Sequence, residues 1–170
     1  GLSMGSKMGL IPIRVITWPN AELSEQIIAG KYKTAPHTND MFEIGAAKII
    51  GDGSIQGFTG NLSKPYHTPY KGDTQYRGYP VTDRKTMASL VKKFHDAGMQ
   101  IAIHGNGDAT IDDIIFSISE AQRQNPREDT RHIIIHCQTV RDDQLLEIKR
   151  LGITPSFFPA HAYYWGDRHC

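Results

Sequence analysis

The sequence holds only two cysteines, Cys137 and Cys170, far apart and each without a second thiol nearby. That excludes a disulfide framework and a Cys-x-x-Cys metal site, and a reducing, cytoplasmic setting is the expectation. Charge of one sign is also missing. Lys and Arg number 19 against 18 Asp and Glu, and a net charge of +1 gives nucleic acid or an anionic membrane no electrostatic hold. No apolar run approaches the roughly 20 residues of a membrane span. The amino terminus lacks the basic-then-apolar pattern of a secretory signal. Gly105 and Gly107 have no third glycine where a dinucleotide-binding turn needs it. A small-molecule partner, with no nucleic acid and no membrane, is what these absences leave. The start at Gly1 and the aromatic ending predict a segment of something longer.

What the sequence does have is alternation of strand and helix signals. Residues 11–16 read as a strand, and Asn20 caps a short helix carrying Leu23, Ile27 and Ile28. After a loop over residues 36–40, residues 44–50 are apolar except for Lys48 and stop at Gly51, Asp52 and Gly53, the pattern of a strand buried on both faces. Met87, Leu90, Val91 and Phe94 recur at helical spacing, with Thr82 or Asp83 as cap and Gly98 as terminator. A strand follows over 99–103, then a helix with Ile111, Ile114, Ile115 and Ile118 facing inward that ends before Asn125 and Pro126. Residues 133–135 make the next strand. Asp142 and Asp143 start a helix turning Leu145, Ile148 and Leu151 inward, Gly152 closes it, and 153–158 resume an extended run.

Five strands alternating with four helices predict an α/β fold with a parallel sheet, either an open doubly wound sheet or an arc of an eight-stranded barrel. Lys48 with Asp52, His104 with Asp108, and His136 with Gln138 fall at or just after the carboxyl ends of successive strands, where barrel active sites are built. Two apolar strands that each deliver a histidine to a polar turn suit a metal, since neutral imidazole is a good zinc ligand. A core histidine bonded to a carbonyl is the plainer reading of either one. Lys48 in an apolar strand must be lowered in pKa, paired, for instance with Asp52, or chemically changed. Asp108 reads as the N-cap of the following helix or as a group orienting His104. Asp52 and Ser54 read as hydrogen-bond partners of a ligand or as solvated turn residues. His132, at the opposite end of its strand, reads as structural and Arg131 as a surface salt-bridge residue.

Four motifs in order carry a resemblance that runs from about Met41 to the end. They are Lys48 through Ser54, His104 through Asp108, Arg131 through Gln138, and Pro159, Ala160 and His161. Together they resemble the amidohydrolase superfamily, in particular the branch similar to N-substituted formamide deformylase and to the proteins called exoenzyme regulatory protein.

The resemblance implies a (β/α)8 barrel, with residues 1–170 supplying about strands 3 to 7 of an incomplete barrel and residues 55–80 a long loop insertion. The implied metal centre takes a His-x-His pair from the first strand, a lysine from the fourth, histidines from the fifth and sixth, and an aspartate from the eighth. By motif, Lys48 matches the lysine, often carboxylated in this family to bridge two ions, and His104 and His136 match the histidines. The ion is divalent, zinc by preference. Asp108 and His161 are the further catalytic candidates, the latter able to touch the reacting group of an amide-type substrate. No His-x-His precedes Lys48, and the sequence stops soon after the seventh-strand motif.

The implied activity is hydrolysis of carbon–nitrogen, non-peptide amide-type bonds by the intact parent, with this segment inactive by itself. The alternatives are a non-catalytic regulatory or binding protein that keeps the barrel scaffold, or a Schiff-base enzyme using Lys48. The loop of residues 55–80, with Tyr66, Tyr70, Tyr76, Tyr79 and Phe58, reads as a lid or as a hairpin packed on a neighbouring subunit. The tail 159–169 is expected to be mobile or buried in a partner. Self-association through open strand edges at 11–16 and 153–158 is a further expectation.

Overall fold

The computed structural model describes residues 2–32 and 41–169, so the loop expected over 36–40 lies outside the described residues. Helix α1 (Leu2–Lys7) leads into strand β1 (Val15–Thr17), helix α2 (Ala21–Ile28) and strand β2 (Phe42–Ile44). Then come β3 (Ala47–Ile50), α3 (Arg84–Asp96), β4 (Ile101–Gly105), α4 (Asp108–Gln124), β5 (Ile133–His136), α5 (Asp142–Arg150), β6 (Thr154–Phe157) and α6 (Ala160–His169). Strands β3, β4, β5 and β6 lie side by side in chain order, every pair parallel, while β1 pairs with β2. This is the open arc of a (β/α)8 barrel.

The strand expected over 11–16 begins later, at Val15, because Pro12 has no amide to give a ladder. The strand expected over 44–50 is interrupted. Thr17 lies opposite Ile44 and Asn20 opposite Lys48, so the two residues between them on one segment face three on the other, a bulge at Gly45 and Ala46. Beyond it the amide of Lys48 still donates to the Pro19 carbonyl at 2.8 Å, keeping the two segments side by side.

Strand alternation then sorts the side chains. Ala47, Ile49, Ile101, Ile103 and Ile134 pack with Met87, Val91 and Phe94 of α3, Ile111, Ile114 and Ile118 of α4, and Ile148 of α5. Each such buried isoleucine contributes about 2 kcal/mol, against about 1 kcal/mol for a helix cap, so this layer rather than the caps holds the arc together. The intervening residues Lys48, Ala102 and His104 fall on the other face.

The helix ends follow local chemistry. Asp83 caps α3 by accepting from the Thr86 amide at 3.0 Å, and Gly98 ends it with φ of 80°. On α5, Leu145 is 37% exposed instead of inward, and the buried Gln144 takes its place, donating to the Asp108 carbonyl at 2.7 Å. The tail, expected to be mobile or buried in a partner, forms α6, on which Tyr163 and Tyr164 are exposed. Among the described residues no helix is long and apolar enough to cross a membrane.

Gly107, the N-cap of α4 at φ −78°, sits where a Cβ would be 2.0 Å from the Asn61 carbonyl oxygen. Its backbone is one alanine adopts without strain, so Gly107→Ala tests the close approach alone. The substitution is expected to cost about 2–3 kcal/mol in urea unfolding. Unchanged stability would contradict this packing.

Candidate functional site

Lys48, at the second position of β3, is partly buried, and its amine has a pKa lowered by burial to about 8. At pH 7 such an amine is neutral in about a tenth of molecules, far more than an ordinary lysine. The expected pairing with Asp52 is not what the carboxylate does. Asp52 is 1% exposed and accepts the backbone amides of Asn106 (3.0 Å), Asn61 (3.0 Å) and Gly107 (2.8 Å). Burial raises its pKa, with the three amides and the nearby His104 pulling the other way.

His104, the fourth residue of β4, has its Nε2 at 3.0 Å from the Gly53 carbonyl oxygen, 3.1 Å from the Asn106 side-chain nitrogen Nδ2 and 3.7 Å from the Asp52 carboxylate. Asn106 donates to the same Gly53 carbonyl at 2.7 Å, and its own side-chain oxygen is buried without a hydrogen-bond partner. Asp52 therefore organises both residues that touch His104: it precedes Gly53, and it holds the backbone amide of Asn106, whose side chain reaches the ring.

His136 reaches the same place by an irregular route. Strict alternation from the helix-facing Ile134 would send it toward the helices. His136 and Cys137 instead both have positive φ, 69° and 48°, a strained conformation for side chains of this kind. Cys137 takes the inward place in the helix-side core, and the His136 ring lies with its centroid 4.9 Å from that of His104. Burial lowers the His136 pKa, and His104, His161 and Lys48 add electrostatic repulsion, so it is held neutral. The Cys137 thiol is pushed up to about 12 by burial and is no nucleophile at neutral pH. His161, on α6, completes the group, its ring 5.7 Å from His136 and 4.5 Å from Phe158 between centroids.

Asp108 stands apart from these rings. The expectation that it caps α4 is corrected, because Gly107 is the N-cap and makes no side-chain cap bond. Its carboxylate accepts instead from the Ser63 amide at 2.8 Å, from the Ser63 hydroxyl, and from Arg141 at 2.8 Å. Burial would raise its pKa, but these partners outweigh that and leave it below the usual carboxylate range. Orienting His104 falls to Gly53 and Asn106 instead. Arg141 also binds Asp112 at 2.9 Å and Asp143 at 3.0 Å, a network that individual residues did not signal. Arg131 pairs with Asp129 at the surface as expected.

The 55–80 segment is neither strand nor helix, and it packs on its own chain rather than forming a regular hairpin. Asn61 and Ser63 pin it to Asp52 and Asp108 at the strand ends. Beyond them Leu62 and Tyr66 donate their amides to the carbonyls of Arg77 and Tyr76 at 2.8 and 2.9 Å, and Phe58, Tyr66, Tyr70 and Tyr76 cluster, with Tyr66 stacked on Tyr76 and the other ring pairs tilted.

A lysine whose folded pKa is lowered destabilises the fold while charged. The penalty is complete below pH 8 and fades as pH rises toward 10.5. Lys48→Met is therefore expected to gain about 1–2 kcal/mol at pH 7, allowing for solvent screening at a half-buried site, with the gain shrinking above pH 8. Urea unfolding at pH 7, 9 and 10 reads it, and a gain that does not depend on pH would contradict the burial of a charged amine.

A sequence model of the amidohydrolase family matches residues 5–170. The chain is 34% identical over 105 residues to YtcJ of Bacillus subtilis (strain 168), a protein whose name places it among the amidohydrolases; the match spans 62% of this chain and 18% of that one. It resembles the crystal structure of an uncharacterized metal-dependent hydrolase from Pyrococcus furiosus with a TM-score of 0.78 at 24% identity, over 95% of this chain and 32% of the other. A counterpart from Pyrococcus horikoshii OT3 gives 0.80 at 24% identity, over 99% and 32%. At that identity the two structures establish the fold, and the chain spans about a fifth to a third of the length of these relatives. The family match extends over both the arc and the strand-end residues, and the chain belongs to the amidohydrolase family.

Proposed function

We propose that the intact protein is a divalent-metal hydrolase of carbon–nitrogen, amide-type bonds in small molecules, with Lys48, His104 and His136 holding part of its metal centre. The observation that carries the reading is convergence: three adjacent parallel strands carry these residues, His104 and His136 at the strand ends with imidazole centroids 4.9 Å apart and Lys48 in register with Ala102, two residues before His104. The donor chemistry fits, since His136 is held neutral and Lys48 has an amine pKa of about 8, and imidazole and amine nitrogens suit zinc. The same lowered pKa makes Lys48 the more ready to be carboxylated. Membership of the amidohydrolase family supports hydrolytic chemistry, and the bond type is a further step that we propose.

A bound divalent ion supplies Lewis acidity and lowers the pKa of water. The chain's own residues do the rest. Gly53 and Asn106 orient the His104 ring, and the strained turn at His136 aims the second ring. His161, beside Phe158, contacts the reacting group. Asp108 acts at one remove, fixing the 55–80 segment through Ser63. Among the described residues no three His, Cys, Asp or Glu side chains converge to hold an ion, so the remaining donors come from other parts of the intact protein. This segment alone is then expected to turn over no simple N-acyl amide. Pairing of the open β6 edge with another copy belongs to the same proposal.

Zinc titration followed by calorimetry on the chain, on His104→Ala and on His136→Ala tests the ligand assignment. Binding is expected to weaken by about tenfold or more in each variant. Equal affinity in all three proteins would overturn it.

A further inference from the structure

At the other end of the arc, two more histidines meet with no part in the site above. His95, near the end of α3, and His132, just before β5, are both 0% exposed. Their rings are joined by a 3.0 Å contact between His95 Nδ1 and His132 Nε2. The chain of contacts runs on at both sides, from the Ile101 amide to His132 Nδ1 at 3.1 Å and from His95 Nε2 to the Asn125 carbonyl at 2.8 Å.

The outer partners fix every proton. An amide can only donate, so His132 Nδ1 carries a lone pair and its proton sits on Nε2. A carbonyl can only accept, so His95 Nε2 carries the proton and Nδ1 the lone pair. The two ends independently demand the same direction: Ile101 to His132 to His95 to Asn125. A further proton has no place. On His132 it would face the Ile101 N–H, and on His95 it would face the His132 N–H.

We infer that His95 and His132 form a one-way clasp that excludes protons, an acid-opened joint tying α3 and the end of α4 to the beginnings of β4 and β5.

The surrounding charges agree with this. Arg127 donates to the His95 carbonyl at 2.7 Å and to that of Gly98 at 2.9 Å, a fixed cation beside the pair. On α3, Asp96 would favour a charged His95, but it is engaged by Lys92 at 2.6 Å and by Asn125 at 3.1 Å. On α4, Glu120 and Arg123 pair with each other, and Asp129 and Arg131 do so before β5. The residue before β4 is the neutral Gln100, which donates to the Arg131 carbonyl, and β6 contributes only the Thr154 amide, which donates to the His132 carbonyl at 2.8 Å. Burial, with His95 and Arg127 adding to it, lowers the His132 pKa to about 4.

Two measurements test the clasp. Imidazole 15N shifts of the native chain at pH 7 are expected to show both rings protonated on Nε2. A proton on Nδ1 of either ring, or a charged ring, would overturn the assignment without any variant. The unfolded histidine pKa, near 6.5, lies above the folded value, so the unfolded chain takes up the proton and stability falls as pH drops from about 6.5 toward 4. His136 contributes similarly, so the comparison is with His132→Asn, whose side-chain oxygen can still accept from Ile101. Between pH 6 and 5 the unfolding constant of the native chain is expected to rise about sevenfold more than that of the variant. Equal pH dependence would overturn the clasp, and should the variant not fold, the 15N shifts alone decide.

Discussion

The carboxylate of Asp52 is the constraint on which the site end of this arc depends. It belongs to the end of one strand, yet it accepts amides from the turn after the next strand (Asn106 and Gly107) and from the long loop (Asn61). Losing a buried acceptor with three donors aimed at it would strand all three, at a cost of about 1–3 kcal/mol each. No single cap or surface ion pair approaches that, exposed pairs being worth about 1 kcal/mol or less. The same bonds set the Gly53 carbonyl and the Asn106 side chain against His104. Fold and site therefore share one anchor.

The two ends of the arc use histidine in opposite ways. At the amino-terminal end both nitrogens of each ring are consumed, so His95 and His132 are structural. At the carboxyl-terminal end His104 is held through Nε2, and His136 is carried out of its alternation by two consecutive positive φ values. Strain of this kind costs roughly 1–3 kcal/mol per residue and persists only where the surroundings enforce it. Here burial of Cys137 and the bond from its amide to the Gly105 carbonyl, at 3.1 Å, supply the enforcement.

Much of this was legible in the sequence because isoleucine runs and helical spacing report burial directly. The strands carrying Lys48, His104 and His136, the helices between them and their parallel order follow from that pattern. The bulge at Gly45 and Ala46 was hidden because its residues are as apolar as their neighbours. Gln144 displaced Leu145 from the inward stripe because the two stripes differ by one residue, and only Asp108 and Asp112 across the interface make the polar one favourable. Asp108 shows the same limit. Its position beside a helix start suggests a cap, while its actual partners, Ser63 and Arg141, lie 45 and 33 residues away.

The central claim is that the strand ends bearing Lys48, His104 and His136 hold a divalent ion. Diffraction from crystals grown with zinc, recorded on both sides of the zinc absorption edge, tests it most directly. The account predicts an anomalous peak bounded by the His104 and His136 rings and the Lys48 amine. A peak lodged elsewhere, or none at saturating zinc, would contradict it.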